Sequence, residues 1–479
     1  MALALAGCRE EPRPSAEAPP GAVVLISIDT LRADRLNAYG YRARTLSPHI
    51  DALARDGILF ENHVAAAPWT TPSHLSLLTS LYPSAHGVTG SFRDEATELA
   101  QGRDFEKLPE STVTLAEALA ARGFATGAFT GGVTMDPKIG FGQGFSVYDT
   151  SMYKLSGENM EAMADWVRTQ GQRRFFLFWH NFEVHAPYLE THFLPEVLPP
   201  AKVRKVRELL GPLEERVLKG RAIGKGAADD LAALGVLTEP VCEALYVGGI
   251  RSVDRWLGRF VDLLREQGIY DRALIVLTSD HGEEMAERGP DRVYDQHGHT
   301  LYEELVHVPL IVKLPGQRHA GARVSEVTRA VDVMPTILDL LGYAGDVPAM
   351  QGTSLRPAWE GSDSVRIAYA ESLGIPAEAK ALRTDRYKYI VSIAAADVAE
   401  HGRRYIPPAP AAVELYDLKE DPGERMNLLA SPRAGQLAAL SDMLDERLRR
   451  HVASQRGQAE KVQLDQETVD KLRALGYVQ

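Results

Sequence analysis

The chain predicts a large, mostly parallel β-sheet sandwiched by helices and followed by a smaller α+β subdomain. Three observations carry this. Val/Ile-rich runs such as residues 22–28 are apolar throughout, as strands buried on both faces are. Such runs alternate with helical periodicities, the pattern of βαβ units. Ionisable residues follow the strands directly: Asp29 after the first, His185 after 175–179, and Asp280-His281 after 273–278. Ligands in open α/β sheets sit beyond the carboxyl ends of strands, so one site can collect all of them.

The elements follow in order. Residues 22–28 form the first strand. Ser47-Pro48 opens a helix through Ala54 that Gly57 stops. Residues 58–60 are a strand, 114–122 a helix, 124–129 a strand, and 175–179 an aromatic strand. From 201 to about 267 the chain reads as mostly helical, with breaks at Gly220, Gly224 and Gly226. Strands follow at 273–278 and 308–313, the latter closed by Pro315-Gly316, then a helix at 331–341. The texture changes near Glu371. Residues 381–390 read as a turn and strand, 414–418 as a second strand, Asp421-Pro422-Gly423-Glu424 as a turn, and 435–453 as a helix. Residues 464–477 form an amphipathic helix with Asp465 near its start and Gly476 at its stop. The expected division is 1–20 leader and tether, 21–370 catalytic domain, and 371–479 C-terminal subdomain with the terminal helix.

A length of 479 residues suits a large domain with a smaller companion. The formal net charge of −12 argues against nucleic acid or an anionic lipid surface as the main partner. A small anionic substrate would then need local positive charge. No internal stretch is long and apolar enough to cross a bilayer. Of the two cysteines, Cys242 lies in a helical pattern and reads as a buried small hydrophobe. Cys8 ends Leu5-Ala6-Gly7-Cys8, which reads as a lipoprotein processing site, and Arg9 to Pro20 is a Glu- and Pro-rich tether. Lipid on Cys8 would anchor the chain in the cell envelope, facing the periplasm or the outer surface.

The most informative stretch is Trp69-Thr70-Thr71-Pro72-Ser73-His74, which puts a hydroxyl where a loop enters a helix. Asp29, Thr70, Asp280 and His281 together make a cage for a divalent ion, and a hydroxyl held on such an ion can attack phosphorus or sulfur. His185 is a candidate contact to substrate or to a second ion. Glu183, His185, His297 and His299 are the pool for a second ion; a spacing of two puts Glu183 and His185 on one side of an extended segment. Carboxylate plus imidazole favours zinc or manganese, one or two ions, over calcium. His74 is expected to act on the leaving group or the transferred group's oxygens, and Lys388 to reach the site from the small subdomain. His49, His63, His86 and His307 read as structural. No motif in 90–110 or 150–240 names a substrate.

Val24-Leu25-Ile26-Ser27-Ile28-Asp29-Thr30, Ser47-Pro48-His49-Ile50-Asp51, Pro72-Ser73, His185-Ala186-Pro187-Tyr188, Ser279-Asp280-His281-Gly282-Glu283, Val308-Pro309-Leu310-Ile311 and Leu415-Tyr416-Asp417-Leu418 occur in the order found in the sulfatase family of the alkaline phosphatase superfamily. The resemblance covers about 22–430 and implies an alkaline phosphatase-like fold and a metal-dependent ester hydrolase. The departures are concerted. Sulfatases carry a Cys or Ser, converted to formylglycine, where this chain has Thr70, and threonine cannot yield that aldehyde. They follow the first Asp with a second, here Thr30; their Arg is His74; their Lys is Gly298. Thr-x-Pro-Ser-His resembles the nucleotide pyrophosphatase/phosphodiesterase branch, in which an unmodified Thr attacks phosphorus. His297 is preferred among the second-ion candidates because His-Gly after Asp-His-Gly-Glu recurs in phosphoethanolamine transferases. The expected activity is hydrolysis of phosphate mono- or diesters through a covalent Thr70 intermediate. The alternatives are a sulfuric ester hydrolase, a phosphoethanolamine-type transferase, and an inactive family member acting as a binding module.

Overall fold

The computed structural model describes residues 21–89, 105–218, 226–289, 297–345, 350–361, 366–373, 377–394, 413–432, 434–453, 457 and 459–462. The Cys8 motif and the helix expected at 464–477 lie outside them. Fourteen strands are numbered along the chain: β1 (Ala22–Ile28), β2 (Ile58–Val64), β3 (Phe105–Lys107), β4 (Ala125–Phe129), β5 (Val147–Asp149), β6 (Phe175–Asn181), β7 (Ala273–Thr278), β8 (His307–Lys313), β9 (Ala322–Arg329), β10 (Ala368–Ser372), β11 (Ala377–Arg383), β12 (Tyr387–Ala394), β13 (Val413–Asp417) and β14 (Glu460–Val462).

Eight of them form one sheet in the order β5-β4-β6-β1-β7-β8-β2-β9. Only β8 runs against its neighbours, so the other seven strands point their carboxyl ends the same way. The period of two along a strand sorts β1 between two cores. Val24, Ile26 and Ile28 pack beneath the helix Glu239–Glu266, whereas Val23 and Leu25 join Phe176 and Phe178 beneath the helices Thr70–Thr79 and Val333–Leu340. Both faces of the sheet are therefore covered, which is why the central strands carry no polar alternation.

Several expected elements shift. The strand read at 58–60 continues to Val64. The long helical region divides into Pro200–Leu218, Gly226–Ala233 and Glu239–Glu266. β9 went unread because it borders the sheet and exposes Arg323 and Ser325, which mask its apolar alternation. The C-terminal unit is the antiparallel sheet β10-β11-β12-β13, with the helix Ala434–Ala453 laid on it through Leu444 and Leu448. After that helix the chain returns to the large domain, where β14 pairs with β3.

A buried ionic cluster joins the two units. Lys388 of β12, expected near the catalytic residues, instead lies 3.1 Å from Glu303 and 3.0 Å from Glu424, with its side chain 1% exposed. Arg383 adds a second cation 3.1 Å from Glu303. Burial works against the Glu303 charge, but Arg383 and Lys388 hold its carboxyl well below the usual range. Burial pushes Glu424 up, to about 7. Lys388→Met leaves two buried carboxylates short of a counter-charge. It is expected to lower stability by about 3 kcal/mol at pH 8. Because an acid with a raised native pKa destabilises the fold as pH rises through that value, the deficit should shrink below pH 7 as Glu424 takes a proton. Denaturant titrations of both proteins at pH 8 and pH 5.5 check this; equal midpoints at both pH values would show the cluster to be energetically idle.

Candidate active site

The helix Thr70–Thr79 is buried along its whole length, and its first residue is the expected nucleophile. Trp69 occupies the cap position, so Thr70 is not spent as a cap. Its hydroxyl lies 3.4 Å from Asp29 Oδ2 and 3.5 Å from His281 Nε2. Ser73 Oγ donates to the Asp280 carbonyl at 2.6 Å and ties the first turn to the end of β7. The positive end of the helix dipole faces the same place, which favours an anion there.

Asp29 continues the β1 ladder by donating its N–H to the Asn181 carbonyl, so it shares the face of Ser27 and looks toward Thr70. The next residue, Thr30, has φ 57, a left-handed backbone that a β-branched residue adopts only under strain of about 1–3 kcal/mol. Three hydrogen bonds hold that turn. Thr30 Oγ1 donates to the Asp29 carbonyl at 2.7 Å, Tyr246 donates to the Thr30 carbonyl at 2.7 Å, and the Arg32 N–H donates to the Tyr246 oxygen at 3.1 Å.

Three buried acceptor atoms meet here. His281 donates through Nδ1–H to the Gly282 carbonyl at 2.8 Å, which leaves the Nε2 lone pair pointing inward. That Nε2 is 3.3 Å from Asp280 Oδ2 and 3.7 Å from Asp29 Oδ1. Neither carboxylate oxygen has a hydrogen-bond partner, and both side chains are fully buried. Burial pushes both carboxyls up and His281 down to about 3. A lone pair facing two unbonded carboxylate oxygens is repulsive unless a proton or a cation stands between them, and three such donors this close fit a divalent ion.

His74, expected to act on the leaving group or the transferred group's oxygens, is fully buried. Its Nδ1 donates to the Thr70 carbonyl at 3.0 Å and lies 3.3 Å from Asp280, and its Nε2 meets Ser27 Oγ at 2.8 Å. Both nitrogens are engaged by the protein, which makes His74 a positioning residue.

A second group stands behind His281. The His297 ring lies 4.8 Å from the His281 ring and 4.9 Å from that of His185. Glu283 Oε1 takes His297 Nδ1 at 3.2 Å, and its other oxygen accepts from Tyr188 at 2.9 Å. His299 turns instead to Glu284 at 3.1 Å. Glu183 and His185 do not share a side, because the chain bends rather than extends after Asn181. Glu183 accepts from the Leu155 N–H at 2.9 Å. Lys154, absent from the expected set, holds the bend by donating to the carbonyls of Phe182, Glu183 and His185 at 2.5, 3.2 and 2.7 Å. Nothing local in the sequence around Lys154 signals that role. His180 was missed because it closes an apolar strand, yet it stands 3.1 Å from Asp29.

A covered parallel sheet whose strand-end acids and imidazole converge on a hydroxyl at a helix start defines an alkaline phosphatase-like hydrolase. The Sulfatase family model matches residues 22–343, the model for the N-sulphoglucosamine sulphohydrolase C-terminal region matches 289–454, and the chain belongs to the sulfatase family. Similar proteins include the multifunctional alkaline phosphatase superfamily protein PehA of Trinickia caryophylli, 25% identical over 86% of this chain and 91% of the relative. The steryl-sulfatase of Mus musculus is 27% identical over 92% of this chain and 84% of its own. The phosphonate monoester hydrolase of Agrobacterium radiobacter shares the fold, with a TM-score of 0.64 at 24% identity over 90% of this chain and 96% of its own.

Gly282 lies between His281 and Glu283, and a Cβ there would stand 2.0 Å from the Glu304 carbonyl oxygen. Gly282→Ala must therefore push the loop after β7 away from the helix Glu303–Val306. We expect a drop in melting temperature of several degrees, on the scale of about 1–3 kcal/mol, and weaker divalent-ion binding. Thermal shift and metal titration read the two effects.

Proposed function

We propose that this protein is a metal-dependent hydrolase of phosphate mono- or diesters in which Thr70 attacks phosphorus. The observation that carries the reading is the Thr70 hydroxyl itself: it belongs to a residue that cannot become formylglycine, and it lies against Asp29 and His281 rather than capping its helix. A zinc or manganese ion held by Asp29, Asp280, His281 and Thr70 would supply the positive charge that makes an unmodified hydroxyl a usable nucleophile. The chain's own groups do the rest. Asp29 Oδ2 accepts from the Thr70 hydroxyl and aims it. The helix start favours the negative charge of the bound ester. The Thr70 Oγ–P bond forms as the ester P–O bond breaks, the hydroxyl proton ends on the departing alcohol, and water then cleaves the Oγ–P bond to restore the Thr70 hydroxyl and release phosphate, or a phosphate monoester where the substrate was a diester. His185 and His297 lie beyond His281, where they would meet the ester oxygens, and His297 is also placed to hold a second ion with Glu283 fixing its ring.

A second reading has its own support: the family model and the steryl-sulfatase relative speak for sulfuric esters at least as strongly as any name speaks for phosphate. The residue at 70 is what favours phosphorus, since sulfate release would require direct hydrolysis of a sulfo-threonine.

A panel of nitrophenyl phosphate, bis-phosphate, phosphonate and sulfate esters with added zinc, manganese or calcium tests this. A phosphorus ester should be the best substrate, a chelator should abolish turnover, and Thr70→Ala should lower kcat on the order of 10³-fold or more while leaving the fold intact. Sulfate as the best substrate would establish the second reading. Activity unchanged in Thr70→Ala would overturn the nucleophile, and no activity or ion binding in the parent protein would make the chain a binding module.

A further inference from the structure

Asp29 is held by a histidine that no ion or substrate role accounts for. His180 is the penultimate residue of β6 and sits beside Ser27 of β1 in the sheet register. It is fully buried, and its ring crosses that of His74 at 4.6 Å and 83°. Its two nitrogens have different partners. The Gly131 N–H points at Nδ1 from 3.3 Å, and a backbone N–H can only donate. Nδ1 must therefore carry the lone pair and Nε2 the proton. Nε2 lies 3.1 Å from Asp29 Oδ2, so it donates there.

Asp29, His74 and His180 also converge closely enough to suggest an ion between them. The proton positions argue otherwise. His180 Nε2–H and His74 Nδ1–H are both spent on protein acceptors, which leaves neither of those nitrogens able to bind a cation.

We infer that His180 is a positioning residue whose single tautomer, set by the Gly131 N–H, pins one oxygen of Asp29 so that the other faces Asp280 and His281. It inverts the familiar arrangement in which a carboxylate orients a metal-binding histidine. Three features support it. Asp29 Oδ1, the oxygen 3.7 Å from His281 Nε2, has no hydrogen-bond partner while Oδ2 has two. The Gly131 backbone can come this close only because the residue lacks a side chain: a Cβ would stand 2.5 Å from the Met152 carbonyl oxygen. The β6 residues Phe176, Phe178 and His180 share one face, so the polar ring appears where the apolar face meets the strand end.

The inference rests on the ion site proposed above, and the test separates the two. Zinc and manganese affinities are measured by competition with a chelating dye for the parent protein and for His180→Gln, His180→Asn and His180→Phe. Glutamine can place an N–H where Nε2 stands; asparagine keeps only the acceptor near Gly131; phenylalanine fills the space with neither. His180→Gln should bind within about threefold of the parent, whereas His180→Asn and His180→Phe should bind about 10- to 100-fold more weakly at unchanged melting temperature. Nitrogen-15 spectra of histidine-labelled, ion-free protein should show His180 protonated at Nε2. Equal affinity in all four proteins, or a proton on Nδ1, would overturn the positioning role and leave the ion site standing. A parent protein that binds neither ion would overturn the ion site itself.

Discussion

Two buried carboxylate oxygens and one imidazole lone pair converge on one point, and the rest of the structure is arranged around that fact. Asp29 Oδ1, Asp280 Oδ2 and His281 Nε2 are buried, close, and all acceptors. Among the described residues, the basic groups within 4 Å of the two carboxylates are imidazoles: His180 and His281 for Asp29, His74 and His281 for Asp280. Burial holds those imidazoles neutral, so they orient the acids without neutralising them. A buried carboxylate left uncompensated costs several kcal/mol. A fold that keeps two of them here, on a strained Thr30 turn, favours their protonated forms and offers the set to a cation that would replace those protons.

Much of this was legible because strand ends are legible. A Val/Ile run that stops at Asp29, and another that stops at Ser279-Asp280-His281, advertise both the parallel sheet and the edge where chemistry sits. Thr70 was legible as a loop-to-helix hydroxyl. His180 was not, since Phe175–Asn181 reads as uninterrupted core; only the alternation Phe176, Phe178, His180, laid beside Val23, Leu25, Ser27, shows the two strands turning polar at the same level. Lys154 and the inward turn of His74 depend on which side chains the packed sheet brings together, and spacing along the chain carries no trace of that. The extended segment expected from Glu183 to His185 fails for the same reason: Lys154 gathers three of its carbonyls and bends it.

The small C-terminal sheet is part of this arrangement. Its edge strand β10 lies behind both loops that carry site residues. The Glu371 N–H donates to the Ala66 carbonyl at 3.0 Å, four residues before Thr70, and Ser372 Oγ donates to the Gly298 carbonyl at 3.1 Å, next to His297. Gly298 in turn donates to the Pro68 carbonyl at 2.9 Å, so the Thr70 loop and the His297 turn are tied to each other and to β10. The Arg288 side chain clasps Glu304 at 2.6 Å and the Glu424 carbonyl at 2.8 Å, tying residues 283–288 to the C-terminal unit from the other side. A unit that reads as an appendage in sequence is thereby fastened to the loops that carry Thr70 and His297.

The departures from the sulfatase pattern gain a common physical meaning once placed. Thr30, where sulfatases have a second Asp, bonds back to its own neighbour's carbonyl and adds no charge. His74, in place of Arg, is a neutral strut between β1, Thr70 and Asp280. Gly298, in place of Lys, adopts φ +84 and lets the turn pass between Pro68 and Ser372. Together they remove one negative and two positive charges from the pattern, a net loss of one positive charge from a site that must receive an anion. A single ion in the Asp29, Asp280 and His281 cage offsets the two acids there but leaves little surplus for the substrate. The surplus has three sources: the helix start at Thr70, the buried Lys154 ammonium at the His185 carbonyl, or a second cation near Glu283, His297 and His185, where a carboxylate and two imidazoles already gather. A site depleted of fixed cations and rich in ligands for mobile ones suits an unmodified hydroxyl that needs an ion to become reactive. It suits much less well a formylglycine nucleophile supported by arginine and lysine.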